Sequence, residues 1–223
     1  MNQQQFQRDA YLARICDQNV DIFDDKYHWN FQPEDLPLDP RAEFAHCKRT
    51  FLEIGFGHGE VLEELIPRHP DTGFIAIERR PPRVRKCLKR MQRVGEQRAK
   101  LMRVNLELLR RRLFVPGSFD DILINHPDPW PKSRHGHHRL FQAETIDWLA
   151  DILIAGGIVE VASDHTEYFF TILHLFETHP QFESLMPPPC YTDQPIPNRP
   201  TSRFEIHKRR SGLTVRVMRF GKK

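Results

Sequence analysis

Asp128 stands between Pro127 and Pro129, with Trp130 and Pro131 behind it and then Lys132, Arg134, His135, His137, His138 and Arg139. Each proline holds φ near about −65° and withholds a backbone donor, so this carboxylate is positioned before any ligand arrives. Such a group can accept hydrogen bonds from a base or an amine and stabilise positive charge that develops during a reaction. The cationic run behind it suits phosphates, gripped without regard to sequence and released by salt. Trp130 has two readings, a ring that stacks on a splayed-out base and a plug in the core. No second Cys/His group sits at ligand spacing, so the expectation for His126, His135, His137 and His138 is RNA contact in partly protonated form, with no metal.

A second chemical stretch is EIGFGHG, from Glu53 through Gly55 and Gly57 to Gly59. Glycines let a backbone turn tightly and approach a ligand, with helix N-terminal amides beyond them. The spacing is G-x-G-x-G and not the dinucleotide G-x-G-x-x-G, and Glu53 suits a cationic, nucleotide-like ligand. Glu78 closes the next apolar run, where an acid can accept both ribose hydroxyls of an adenosine. The competing reading is a solvated acid offsetting Arg79 and Arg80. Asn105 ends a third run and is placed to meet an adenine edge, although Asn also suits turns.

The elements that must carry these residues alternate. Apolar runs at Thr50–Ile54, Gly73–Ile77, Lys100–Val104, Asp120–Ile124 and Ile158–Ala162 predict strands. Helical spacing follows each of the first four: Val61 to Ile66, ended by Pro67 and Pro70; a basic helix after Pro82; Leu106 to Leu113; and Leu140 to Ile154, stopped by Gly156 and Gly157. A helix from Thr166 to His179 succeeds the fifth strand, Pro187 to Pro200 is a loop, and Gly212 to Phe220 closes the chain as a strand. The pattern predicts an α/β fold with a doubly wound, mostly parallel sheet and a C-terminal antiparallel strand. In such sheets ligands bind beyond the carboxyl ends of the strands, where Glu53, Glu78, Asn105 and Asp128 all stand. Residues 1–45 read as an arm packed on the domain, with a weak helical stripe at Phe6, Ala10, Ala13 and Cys16, and residues 46–223 as one domain.

Length and composition agree with one well-buried domain. No apolar run is long enough to span a membrane, and MNQQQFQRD is no secretory leader, so the expectation is a cytoplasmic protein. Four cysteines without CxxC spacing predict separate thiols. From Arg79 to Arg112 there are fourteen Lys or Arg against two Glu, while the rest of the chain is acidic. That asymmetry points to a polyanionic partner, unless the basic helix, with Arg83, Lys86, Arg90 and Arg93 outward, is simply a solvated face.

The motifs EIGFGHG, IER at 77–79, HPDPWPKSRH at 126–135, SDHTEY at 163–168 and SRFE at 202–205 resemble, in order and over most of the chain from Phe51, those of the bacterial tRNA (guanine-N7)-methyltransferase family. The resemblance implies a class I, Rossmann-like methyltransferase fold with S-adenosylmethionine as cofactor. It implies Glu53, Glu78, Asn105 and Asp128 as cofactor contacts, with Asp128 also the catalytic acid. Lys132, Asp164 and the segment Ser202, Arg203, Phe204 and Glu205 are implied as substrate contacts. Arg134, His135 and Arg139 fall in the RNA-contacting stretch, the partner being tRNA and the target its variable-loop guanosine, with a monomer or homodimer as the assembly. Ser202 stands where the family usually has Thr, and Ser133 and Gly136 dilute the charge of the loop.

Two other readings remain. Asn125 to Trp130 superficially resembles an N/D-P-P-Y/F/W loop that accepts an amino group, which would make the substrate an exocyclic amine, although His126 and Pro127 interrupt it. The basic stretches would also serve a non-catalytic RNA-binding protein on the same scaffold, against which the set Glu53, Glu78 and Asp128 argues.

Overall fold

The computed structural model describes residue 7 and residues 9–14, 26–130 and 139–223. They fall into two compact units, Met1–Val115 and Pro116–Lys223.

The first unit holds three parallel strands, β1 (Arg49–Ile54), β2 (Thr72–Glu78) and β3 (Ala99–Arg103), in the order β3-β2-β1. The register pairs Glu53 with Ala76 and Glu78 with Arg103, so both acids lie at the carboxyl ends of their strands. Every residue of β2 is buried, as expected for a central parallel strand covered on both faces. A short helix α1 (Pro40–Glu43) precedes β1. Helix α2 (Glu60–Arg68) buries Val61, Leu62, Leu65 and Ile66, and α3 (Pro81–Val94) buries Val84, Cys87, Leu88 and Met91. Proline in the first turn and Gly95 in left-handed conformation at the end of α3 are ordinary helix punctuation. Helix α2 continues through Pro67 to Arg68, one residue beyond the expected stop. Helix α4 (Leu106–Leu113) completes the unit.

The arm departs from its expected stripe. Residues 10 and 13 are exposed, whereas Leu12 is 1% exposed; Phe6 and Cys16 lie outside the described residues. Further on, the Trp29 amide donates to the Leu101 carbonyl at 2.9 Å and the Leu101 amide to the Tyr27 carbonyl at 2.6 Å. This pairing covers backbone groups of β3 that an edge strand would expose.

The second unit holds β4 (Phe119–Asn125), β5 (Leu153–Ser163), β6 (Phe182–Ser184) and β7 (Arg216–Lys222), in the order β4-β5-β7-β6. Strands β4 and β5 are parallel, while β7 runs antiparallel to both β5 and β6. Helices α5 (Ala143–Ile152), α6 (Thr166–Thr178) and α7 (Arg203–Arg210) accompany them. The helix expected over Leu140 to Ile154 is shorter at both ends, and Gly156 and Gly157 lie inside β5 instead of stopping a helix. A Cβ on Gly157 would stand 2.9 Å from the Asp120 carbonyl, so β4 approaches there only because glycine is present. Neither β6 nor α7 was expected from the periodicity, and the closing strand begins at Arg216, four residues later than expected. A cue to α7 lies in Ser202 and Glu205, an S-x-x-E pattern whose Ser202 Oγ accepts from the Glu205 amide at 3.1 Å. Among the described residues no helix is long and apolar enough to cross a membrane.

Candidate active site

The glycine turn after β1 adopts left-handed backbone at Gly55, Gly57 and Gly59, with φ of 80°, 58° and 80°. Open space surrounds the positions that side chains would take at Gly55 and Gly57. At Gly59 an added Cβ would fall 2.3 Å from Cys87 Sγ, so the start of α2 can sit against α3 only without one. Gly59→Ala combines a left-handed penalty of about 1–2 kcal/mol with overpacking of about 1–3 kcal/mol. Its Tm is expected to fall by roughly 4–20 °C, given about 2–4 °C per kcal/mol for a chain of this size. A calorimetric Tm within about 1 °C of wild type would refute the close approach.

Arg90 ties this turn to α3. Its Nε donates to the His58 carbonyl at 2.8 Å and its guanidinium bonds Glu60 at 3.2 Å and Glu63. Arg83 pairs with Glu78 at 3.2 Å and Arg93 with Glu63 at 3.4 Å. The expected outward basic face is therefore partly an internal brace, because acids on β2 and α2 face it. Arg98, from the same basic run, donates to the carbonyls of Ile66, His69 and Thr72.

Glu53 is 2% exposed, and its Oε2 makes no hydrogen bond among the described residues. Burial, and then the charge of Glu60, push its carboxyl from 4.5 up to about 8. The folded state thus keeps a proton that the unfolded chain has lost, and stability falls as pH rises from about 4.5 to about 8. Glu53→Gln, which mimics the protonated form, is expected to flatten the Tm–pH curve between those values and to raise Tm at the alkaline end. An unchanged slope in a calorimetric pH series would rule this out.

Glu78 is also buried, and its Oε1 accepts from the amides of Arg79 at 2.8 Å and Arg80 at 3.0 Å. The solvated-acid reading is therefore excluded. Asn105 caps α4, its Oδ1 accepting from the Glu107 amide at 3.2 Å, and its own amide donates to Tyr11 Oη at 2.6 Å. A residue of the arm thus reaches the end of β3.

In the second unit the chain leaves β4 into the proline loop. His126 and Trp130 adopt positive φ, 50° and 41°, one on each side of Pro127, Asp128 and Pro129. Backbone of this kind in bulky residues costs about 1–3 kcal/mol each and persists where surrounding contacts over-determine it. Pro127 is buried, Asp128 is exposed and Trp130 is half-buried. Arg139 holds the far side: its Nε donates to the Pro129 carbonyl at 2.8 Å and its guanidinium lies 5.2 Å over the Tyr168 ring. Arg139 therefore braces the loop from within, unlike the outward cation expected from its place in the basic run. Burial pushes the Tyr168 phenol up to about 12, and its neutral hydroxyl accepts from the Phe141 amide at 3.0 Å. Lys132, Arg134 and His135 lie outside the described residues.

The His126 imidazole is buried between two carboxylates, Nδ1 at 2.9 Å from Asp164 Oδ1 and Nε2 at 3.7 Å from Glu205 Oε2. Asp164 also pairs with Lys208 at 2.8 Å. Its hydrogen bond with His126 keeps the Asp164 carboxyl well below the usual range. Glu205 is 1% exposed and bonds Arg199 at 2.7 Å and Arg209 at 3.0 Å. Burial alone would raise the Glu205 carboxyl, but His126 and Arg199 bring it down to about 2. Arg199 further reaches Glu160 at 2.5 Å and Asn125 Oδ1 at 2.7 Å. Ser202 caps α7, Arg203 is exposed, and the exposed Phe204 ring meets His126 edge-on at 4.9 Å, with Lys208 Nζ 4.9 Å over its own face. Within this unit Asp164 and the segment 202–205 converge on the base of the proline loop. Arg199 and Lys208 have no signal of their own in the sequence, and His126 reads there only as one of the loop's histidines, because a buried ion network has no period.

The family described as "Putative methyltransferase" matches residues 47–218 of this chain. A tRNA (guanine-N(7)-)-methyltransferase of Halorhodospira halophila is 33% identical over 184 residues, covering 82% of this chain and 79% of that protein. That of Thiobacillus denitrificans is 37% identical over 189 residues, covering 83% and 79%. Among solved structures, the 16S rRNA (adenine(1408)-N(1))-methyltransferase of Catenulisporales acidiphilia superposes with a TM-score of 0.56 at 14% identity, covering 87% of this chain and 92% of that one. That likeness shows the α/β class I methyltransferase fold. With a family match over most of its length and relatives above 30% identity, the chain belongs to the tRNA (guanine-N7)-methyltransferase family.

Proposed function

We propose that the protein transfers the methyl group of S-adenosylmethionine to N7 of a guanosine in tRNA, the variable-loop guanosine of the resemblance. The observation that carries this reading is Asp128, an exposed carboxylate on a loop held by prolines, by two residues of positive φ and by Arg139. The residues of the first unit fit the cofactor. Glu53 presents a buried carboxylate oxygen with no hydrogen bond among the described residues, Gly55 and Gly57 leave open space, and Glu78 ends β2. Bound there, S-adenosylmethionine would supply an electrophilic methyl on a sulfonium centre. Glu53 would face its positive charge, which favours the ionised carboxylate. Glu78 would accept the ribose hydroxyls and Asn105 would meet the adenine.

Guanine N7 carries a lone pair and no proton, so attack on the methyl needs no general base. Positioning and negative charge are what the protein must provide, since the purine becomes cationic. Asp128 supplies that charge. Asp164 holds the base with the buried Glu205 behind it, Phe204 offers an exposed aromatic face for stacking, and Lys132, Arg134, His135 and Arg203 meet phosphates. The test is incubation with labelled S-adenosylmethionine and unmodified tRNA, followed by mapping of N7-methylguanosine. Label at N7 of one guanosine is expected; label on an exocyclic amine, or none, overturns the reading.

A further inference from the structure

His126 belongs to none of the roles assigned above, yet it touches two groups that do. Its ring joins Asp164 at the end of β5 to Glu205 on α7, and it directly precedes Pro127 and Asp128. Both ring nitrogens face carboxylate oxygens. Nδ1 lies within hydrogen-bond distance of Asp164, whereas Nε2, 3.7 Å from Glu205, makes no hydrogen bond among the described residues; a neutral imidazole would turn a lone pair toward one of these anionic oxygens, and only the imidazolium presents an N–H and a positive charge to both. Lys208 faces Asp164 from α7, Arg199 faces Glu205 from the preceding loop, Arg209 faces it from α7 itself, and Phe204 closes the ring edge. These cations hold both acids ionised, and ionised acids in turn hold the imidazole charged. Burial works against that charge, but the two carboxylates outweigh it and raise the His126 pKa. The ring's position is enforced on the backbone too: its amide donates to the Ala162 carbonyl at 2.8 Å while φ stays at 50°.

We propose that His126 is a positioning residue of the guanosine site, an imidazolium that sets the spacing and orientation of Asp164 and Glu205 and anchors the start of the Asp128 loop. The proposal rests on the function proposed above. Deprotonation removes the positive charge that stands between the two carboxylates, so their shared counter-charge is lost and the loop loses an anchor. Recognition of the base should therefore weaken as pH rises through the His126 transition.

The test compares wild type with His126→Asn, since Asn tolerates positive φ but carries no charge and cannot reach both acids. With saturating S-adenosylmethionine, kcat/KM for tRNA is measured from pH about 6 to about 9, upward from the ordinary histidine value near about 6.5. The variant is expected to be down roughly 100-fold at neutral pH, the scale of losing a buried charged partner, and to lack the alkaline decline of the wild type. A variant within about threefold of wild type, or one with the same alkaline limb, overturns the proposal. Should the variant fail to fold, nitrogen NMR of wild-type His126 decides: two protonated ring nitrogens at neutral pH are expected, and a neutral ring overturns the proposal. A wild type that methylates another RNA position defeats the N7 reading alone, because the same comparison then runs on that product.

Discussion

Asp128→Ala is expected to lower kcat for tRNA methylation by about 10²–10³-fold, the range for removing one pre-positioned electrostatic stabiliser. Little change in stability should accompany it. Asp128 is exposed and stands beyond the last residue of β4, and surface substitutions of this kind stay within about 0.5 kcal/mol. The contrast between large kinetic and small thermal effect separates a chemical role from a structural one. Asp128→Asn keeps the shape and removes the charge, so it should recover little of the loss if field at the purine is what matters. Steady-state turnover and calorimetry on the two variants check this; wild-type kcat in Asp128→Ala would remove Asp128 from the mechanism.

Glu205→Ala should do the opposite kind of damage. Glu205 is 1% exposed and bonds Arg199, whose side chain is 3% exposed, so truncation leaves a buried guanidinium short of a partner. Breaking such a pair costs about 3–5 kcal/mol, which corresponds to a Tm lower by on the order of 10 °C in a chain of this size. The pH dependence follows from the sign of the shift. The Glu205 carboxyl lies near 2 in the folded protein against 4.5 ordinarily, so its contribution is complete above about 4.5 and is lost as pH falls toward 2. In Glu205→Ala the loss of Tm between those values should be shallower than in wild type. A Tm within about 2 °C of wild type at neutral pH, or an unaltered acid slope, would show that Arg199 finds its compensation in Glu160 and Asn125 alone.

Thermal and kinetic behaviour thus divide between two acids of the second unit. Asp128 and Glu205 were both marked by the resemblance, but the structure places one at the surface and the other inside a charge network with His126, Arg199 and Arg209. The label of substrate contact for Glu205 therefore describes at most part of what the side chain does, since one of its oxygens is already shared by two cations.

The alternation of strands and helices, the glycine turn after β1 and the stiffness of the loop around Asp128 were legible in the order of residues alone. These are local properties: side-chain period, the conformational freedom of glycine and the fixed φ of proline act within a few residues. What the charges do follows from the folded arrangement. Arg90 and Arg139 looked like solvent-facing cations because sequence records their charge and not the carbonyls and acids that fold against them. His126 looked like one more histidine in an RNA-binding run, yet Asp164 and Glu205 reach it from 38 and 79 positions away. The pairing of β7 with both β5 and β6, and the place of Gly157 in a strand, likewise depend on contacts between distant segments. Electrostatic partners are chosen by proximity in space, and no period in the chain encodes that distance.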